Sequence, residues 1–246
     1  MRILALDTAT SACTVAVVED DAPLAELTLQ VPRAHSTRLM PLVAQAVAES
    51  GLAKTDLDAL AVGVGPGSFT GLRIGLSTVK GLAFALGKPC VGVPTLKALA
   101  YGTGAQLGLV VPMLDAKRGE VFAAVYAAGD SDPNTWAELV PPCHIPVGEL
   151  GERVQELRAG LRHTWQFVTV AGDVAVRYAP ALGLGPDLTR LAPAGALLPR
   201  AWAVARVGRA LLEAGAATDP DALAPIYLRK SEAEHLWDTR KSPSSQ

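Results

Sequence analysis

The chain has 246 residues, of which 50% are hydrophobic and 19% are charged, and its formal net charge is −2. This length allows one large domain or two of about 100 to 150 residues. The longest apolar runs, 57–64 and 107–114, are far shorter than the roughly 20 residues of a membrane-spanning helix, and the near-neutral charge disfavours independent binding to nucleic acid.

The amino terminus and the cysteines favour a cytoplasmic location. Residues 1–7 hold one basic residue and an apolar run too short for a secretory signal, and they end in Asp7. We therefore expect a strand there rather than a leader. Cys13, Cys90 and Cys143 show no metal-binding spacing, and an odd number of thiols suits a reducing compartment.

The first hundred residues predict three strands followed by alternating helices and strands. Apolar and β-branched runs predict strands over 3–7, 13–18, 24–31, 57–64 and 90–93. Helices are predicted over 36–50, with Ser36 as its cap, over 68–87, and from Thr95 onward. The short turns between the first three strands predict an antiparallel meander. This order is that of the ribonuclease-H-like α/β fold.

A second, looser copy of this order follows. It consists of predicted strands over 109–115, 120–126, 137–145 and 167–171, with helices over 147–161 and 201–214. The Gly/Pro-rich stretch 180–199 is predicted to be a loop, which shortens the copy, and 220–229 is predicted to be ordered but irregular.

These elements predict two tandem ribonuclease-H-like domains of the actin-like ATPase type. The first domain, 1–106, is expected to carry a partner interface. The second domain, 107–230, is expected to be a shortened copy, with the option that helix 201–214 packs back on the first. The polar residues 231–246 are expected to form a disordered tail.

The run Gly63–Gly75 looks like a phosphate loop but breaks its rules. The last glycine of the motif, Gly71, is followed by Leu72 and not by the lysine of a P-loop. The glycine spacing also fails the dinucleotide fingerprint. A nucleophile elbow has Gly two residues before its Ser, and Pro66 stands at that position before Ser68. Ser68 is instead the expected N-cap of helix 68–87. Either Ser68 satisfies the first-turn N–H groups, or those groups bind an anion.

Small residues recur along the same predicted helix, at Gly71, Gly75, Thr78, Gly81 and Ala85. A glycine inside a helix costs roughly 1 kcal/mol relative to alanine. Close approach of another backbone is the usual reason to keep it. The partner is either a strand beneath the helix or a helix of a second protein, and both can occur on opposite faces.

Asp7 and Asp115 end the first strands of the two copies, where an ATPase would hold a catalytic or magnesium-bridging carboxylate. The turn after Asp7 has no glycine, so its backbone cannot easily approach a phosphate. This favours a second interpretation, in which the two carboxylates hydrogen-bond nearby turns. Lys117, Arg118 and Glu120 either help to seat a nucleotide or a partner loop, or form a solvated hairpin turn.

Together the motifs resemble those of a known family, the bacterial TsaB (formerly YeaZ) proteins of tRNA threonylcarbamoyladenosine biosynthesis. The resemblance rests on residues 3–10, His35-Ser36 with Leu39 and Pro41, 65–75, 114–122 and 225–229. It implies an actin-like fold and a role in the threonylcarbamoyl modification of adenosine 37 (t6A) in tRNAs that read codons starting with A.

The resemblance also implies that the chain is not the catalyst. In that family the paralogue TsaD holds metal and carries out the transfer, TsaE hydrolyses ATP, and TsaC makes threonylcarbamoyl-adenylate. We therefore expect a TsaD heterodimer, or a homodimer when the chain is alone. ATP or ADP and metal would belong to the partner subunits. Thr95 and Leu99 stand where the TsaD relatives have two metal-binding histidines.

The resulting site prediction has no catalytic and no metal-binding residue. Asp7, Ser68 and Asp115 are weak nucleotide-binding candidates. The residues predicted at the partner interface are His35, Leu39, Gly71, Arg73, Gly75, Thr78 and Gly81. The alternative function is an ATPase or small-molecule kinase of the actin-like superfamily that acts on its own.

Overall fold

The computed structural model describes residues 1–30, 35–105, 107–129, 132, 135–161 and 167–229. The predicted tail 231–246 and the last residue of predicted strand 24–31 lie outside these ranges. None of the helices in the described ranges is both long enough and apolar enough to cross a membrane.

The described residues form ten strands and six α-helices. The strands are β1 Arg2–Asp7, β2 Ala12–Glu19, β3 Ala22–Gln30, β4 Ala59–Gly65, β5 Cys90–Pro94, β6 Gly108–Lys117, β7 Glu120–Ala128, β8 Ala137–Pro146, β9 Val168–Ala171 and β10 Thr189–Leu191. The helices are α1 His35–Glu49, α2 Phe69–Leu86, α3 Thr95–Tyr101, α4 Val147–Gly160, α5 Ala175–Tyr178 and α6 Ala201–Glu213.

The strands form two sheets of the same topology. One sheet has the order β3-β2-β1-β4-β5 and the other β8-β7-β6-β9-β10. In each, the first three strands pair antiparallel and the remaining two run parallel to the first. The predicted meander is therefore confirmed, and so is the α/β class with two ribonuclease-H-like copies.

The prediction that 180–199 is only a loop was wrong in one part. Residues Thr189–Leu191 form β10, which pairs in parallel with Val168–Val170 and completes the second sheet. Three residues are too few to show a strand pattern in sequence. The second copy is nevertheless shortened, because α5 has 4 residues where α2 has 18.

The central core lies between the two sheets. Each copy contributes one helix that packs on the sheet of the other copy. Helix α6 packs on β1, β2, β4 and β5 of the first sheet, whereas α3 packs on β6 and β7 of the second. Gly208 brings α6 close to the sheet, since a Cβ there would lie 2.9 Å from the Ala61 Cβ. Apolar residues of both sheets and both helices form one buried cluster, so the two copies share a core.

Helices α1 and α2 cover the other face of the first sheet. Their buried side chains include Leu39, Val43, Leu76 and Val79, which repeat at helical spacing. The predicted cap of α2 is confirmed, because the Ser68 Oγ accepts the Gly71 N–H at 3.2 Å. The predicted cap of α1 was wrong: α1 begins at His35, so Ser36 lies in its first turn.

Candidate functional site

A cleft of about 870 Å³ opens at the carboxyl ends of β1, β4 and β6. Its walls come from the turn after β1, the start of α2, the β6–β7 hairpin and the carboxyl-terminal segment. The lining residues that matter below are Ser11, His35, Ser68, Phe69, Asp115, Lys117, Tyr227 and Arg229. This is where the sequence placed Ser68 and Asp115 as candidates.

The glycines at the start of α2 permit close contact with the turn after β1. A Cβ at Gly67 would lie 2.3 Å from the Ala9 carbonyl oxygen, and one at Gly71 would lie 2.0 Å from the Thr8 carbonyl oxygen. The Ser68 N–H donates to Ala9 O at 2.7 Å, and the Thr8 hydroxyl donates to Gly71 O at 2.8 Å. The run thus joins two elements of this chain through their backbones.

Four residues predicted at the partner interface lie inside the fold. Leu39 is 1% exposed, and His35 is buried with its Nε2 2.9 Å from Thr10 O. Gly71 and Gly75 are buried, and both face Thr8, whose Oγ1 would lie 2.4 Å from a Cβ at Gly75. The structure gives these four residues contacts inside the chain, and their place at a partner interface stays a prediction. Helical spacing shows which residues share a face but not which face is outside.

Three other predicted residues remain accessible on α2. Gly81 is exposed, and a Cβ there would have no atom within 4 Å. Arg73 is exposed and Thr78 is half-buried. The interpretation that α2 has two small-residue faces therefore fits the geometry, with Gly71 and Gly75 against the sheet and Gly81 on the outside.

The sequence analysis missed the most exposed large apolar side chain among the described residues. Phe84 on α2 is 89% exposed, and Met40 on α1 is 48% exposed. The helical phase of the buried Leu72, Leu76 and Val79 already points away from Phe84. That phase was the signal that could have identified it.

Asp7 is buried at 1% exposure and serves the scaffold. Its carboxylate accepts the Ala9 N–H at 2.8 Å and the Thr95 hydroxyl at 2.9 Å, while Thr95 Oγ1 accepts the Gly65 N–H. Gly63 makes room for it, since a Cβ there would lie 1.8 Å from Asp7 Oδ2. Burial raises the pKa of Asp7 to about 6, against the opposing effect of the two hydrogen bonds.

We expect Asp7→Asn to increase stability at neutral pH. Because the pKa of Asp7 is higher in the folded than in the unfolded chain, its contribution is full below about pH 4 and is lost as pH rises through about 6. The amide cannot ionise, so its advantage over wild type should grow by about 2 kcal/mol between pH 4 and pH 7. Urea unfolding across this range measures it. A difference that does not change with pH would contradict the assignment.

Asp115 is partly exposed and paired within its own hairpin. Its carboxylate accepts the Lys117 N–H at 2.8 Å and lies 2.5 Å from the Lys117 ammonium. Burial raises the pKa of Asp115, but the bonds from Lys117 and the charges of Lys117 and Arg177 outweigh it, so the pKa is lowered. Glu120 faces away, with its Oε2 2.7 Å from His144 Nε2.

The carboxyl-terminal segment 223–229 closes one side of the cleft. The Ile226 N–H donates to Val64 O at 2.7 Å, and the Arg229 guanidinium donates to Ala116 O. Tyr227 stacks on Phe69 with ring centroids 4.8 Å apart. The Arg73 guanidinium lies 4.0 Å from the Phe69 centroid, and its Nε donates to the Tyr227 hydroxyl at 3.2 Å. Contacts with residues that are distant in the sequence position this segment at the cleft.

The described residues contain no cluster of three or more His, Cys, Asp or Glu side chains that could hold a metal ion. Thr95 and Leu99, which stand where the TsaD relatives have two metal-binding histidines, make other contacts here. Thr95 bonds Asp7, and Leu99 is buried in the central core.

Comparison with known proteins decides the family. The profile of the family TsaD, tRNA N6-adenosine threonylcarbamoyltransferase, matches residues 29–237. The tRNA threonylcarbamoyladenosine biosynthesis protein TsaB of Escherichia coli is 36% identical over 235 residues, which cover 95% of this chain and 96% of the relative. The chain belongs to the TsaB family. The TsaB of Bacillus subtilis is 29% identical over 251 residues, covering 96% and 98%.

A solved structure agrees with this TsaB-family membership. YeaZ from Pseudomonas aeruginosa superimposes with a TM-score of 0.75 at 30% identity, covering 92% of this chain and 99% of that chain. The tRNA N6-adenosine threonylcarbamoyltransferase of Moorella thermoacetica is 32% identical over 179 residues, which cover 69% of this chain but only 45% of that enzyme. TsaB-family homology thus extends to the transferase but not over its full length.

Proposed function

We propose that this chain is the non-catalytic partner subunit for threonylcarbamoylation of adenosine 37 in tRNA, paired with the transferase TsaD. The TsaB-family membership supports a part in t6A biosynthesis. The outward face of α1 and α2, with Phe84 89% exposed, carries the proposal of a subunit contact. Phe and Met are both enriched at protein interfaces, and the exposed Phe84 and Met40 lie on these two adjacent helices.

The geometry of the outer face suits a helix-to-helix contact. Gly81 leaves open space one turn before Phe84, and Met40 on α1 adds a second exposed apolar group. A glycine beside a projecting ring allows two helices to approach closely, while the ring buries about 150 to 250 Å². A homodimer through the same face, in the absence of TsaD, would compete with the heterodimer.

We propose that ATP or ADP and the metal are held by the partner subunits. In this chain Asp7 is enclosed by hydrogen bonds and Asp115 is paired with Lys117. The Gly71 N–H is already bonded to Ser68 Oγ. These contacts support the scaffold interpretation of all three nucleotide-binding candidates. TsaE and TsaC complete the proposed pathway as separate components.

Reconstitution with one component omitted tests the proposal. The mixture contains TsaC, TsaD, TsaE, tRNA, threonine, bicarbonate and ATP, and the modified base is followed with and without this chain. We expect modification to need the chain in stoichiometric rather than catalytic amounts, with a plateau near one chain per TsaD. Full modification without the chain would refute the proposed requirement.

The second candidate is an ATPase or kinase that acts alone, and the cleft of about 870 Å³ is the observation in its favour. Calorimetry of the isolated chain with ATP and magnesium separates the two functions. Our proposal expects no micromolar binding. Micromolar binding that is lost in Asp115→Asn, in a chain that stays folded, would favour the enzyme instead.

A further inference from the structure

Arg229 lines the cleft, and three further arginines lie next to residues that line it. Arg118 extends from the β6–β7 hairpin, and Arg229 donates to Ala116 O in the strand that leads into that hairpin. Arg177 lies on α5, and its positive charge helps to lower the pKa of Asp115 in the cleft lining. Arg73 reaches the cleft through its bond to Tyr227, two residues before Arg229. The four arginines thus lie on four separate elements around the cleft.

These positive charges are not neutralised by the chain itself. Within the described part of the chain, none of the four guanidinium groups takes part in a salt bridge. The cleft lining holds two carboxylates, Asp115, which is paired with Lys117, and Asp173, so the four arginines remain in excess. Other surface arginines of this chain, such as Arg153 and Arg209, do have carboxylate partners.

Aromatic rings lie between the arginines. Tyr227 is 42% exposed and stacks on Phe69, which supports Arg73 from the other side. The Arg177 guanidinium lies 5.0 Å from the Tyr178 ring centroid. Guanidinium groups on aromatic supports, with free N–H donors, match phosphate groups and exposed bases better than they match an apolar partner.

We propose that Arg73, Arg118, Arg177 and Arg229, with Tyr227, form a contact surface for the phosphate backbone of the tRNA substrate in the assembled complex. The inference rests on the proposed function, which makes tRNA the substrate of that complex. The net charge of −2 for the whole chain means that four local charges give a weak contact. They add to binding by other subunits rather than replacing it.

The test uses the complete reconstituted complex and the double variant Arg118→Glu/Arg177→Glu. We expect the KM for tRNA to rise about tenfold, and the salt dependence of log KM to lose about two units of slope, because two phosphate contacts are removed. The rate at saturating tRNA and the KM for ATP should not change. Arg118→Lys/Arg177→Lys keeps both charges and should restore the wild-type slope.

Arg158→Glu is the matched control, because Arg158 lies in the last turn of α4 and is not among the residues that line the cleft. It should leave the KM for tRNA unchanged. An unchanged KM and slope in the double variant would overturn the inference. So would a defect that appears only as weaker subunit assembly in size-exclusion chromatography, since the surface would then bind protein. Neither result touches the proposed function, which is refuted instead if modification proceeds without the chain.

Discussion

Phe84→Glu should separate this chain from TsaD without unfolding it. The side chain is 89% exposed in the isolated chain, so a charge there costs little in the monomer. In a packed interface the same charge is desolvated, and loss of an aromatic hot spot costs about 2 kcal/mol or more. We expect the dissociation constant for TsaD to rise at least about thirtyfold, measured by calorimetry or by light scattering.

Leu107→Glu is the matched control for this change. Leu107 is also an exposed apolar residue, at 72%, but it lies beside β6 in the second copy. The Leu107→Glu chain should bind TsaD with the same dissociation constant as wild type. If Phe84→Glu binds equally well while both variants keep the thermal stability of wild type, α2 does not form the interface.

Gly71→Ala and Gly81→Ala should have opposite effects on stability, although the chemical change is the same. The new Cβ at Gly71 would lie 2.0 Å from the Thr8 carbonyl oxygen, a backbone atom that cannot turn away. We expect a loss of about 3 kcal/mol or more, at the upper end of overpacking costs. At Gly81 no atom lies within 4 Å, and alanine should gain up to about 1 kcal/mol from helix propensity.

Urea unfolding of the two alanine variants measures both effects. Each free energy of unfolding is compared with that of wild type under the same conditions. A folded Gly71→Ala chain of wild-type stability would mean that α2 does not contact the turn after β1 as described. A destabilised Gly81→Ala chain would mean that the outer face of α2 is already covered.

The elements with local signals could be predicted from the sequence. The Ser68 cap, the Gly87 helix end and the antiparallel meander of the first three strands follow from residues that are near one another along the chain. The strand β10 could not be predicted in this way, because its pairing with β9 supplies the order that its three residues lack. Element type was therefore predictable wherever the hydrophobic pattern was long enough to show a period.

The candidate site was predicted less completely, because facing direction is a tertiary property. The small-residue stripe was correctly identified as a place of close approach, but Gly71 and Gly75 approach Thr8 of the same chain. The Phe84 ring and the Arg73–Phe69–Tyr227 stack were missed. The stack joins residues 154 positions apart, and no local pattern reports such a contact.

One set of contacts explains both the glycines of the run 63–75 and the buried Asp7. A catalytic actin-like site needs backbone groups and carboxylates that are free to reach a ligand. Here the turn after β1 occupies the space beside Gly67 and Gly71. The carboxylate of Asp7 already accepts hydrogen bonds from Ala9 and Thr95. These contacts hold α2 against the sheet, with its other face outward.

A reconstituted t6A reaction with the variant Asp7→Asn/Asp115→Asn asks whether this chain is needed without being a catalyst. The variant replaces both carboxylates that could act in an ATPase cleft and keeps their shape. At saturating tRNA we expect the same modification rate as with wild type, against no modification when the chain is omitted. A variant that assembles with TsaD at wild-type affinity but modifies tRNA at a rate reduced a hundredfold or more would contradict the non-catalytic role.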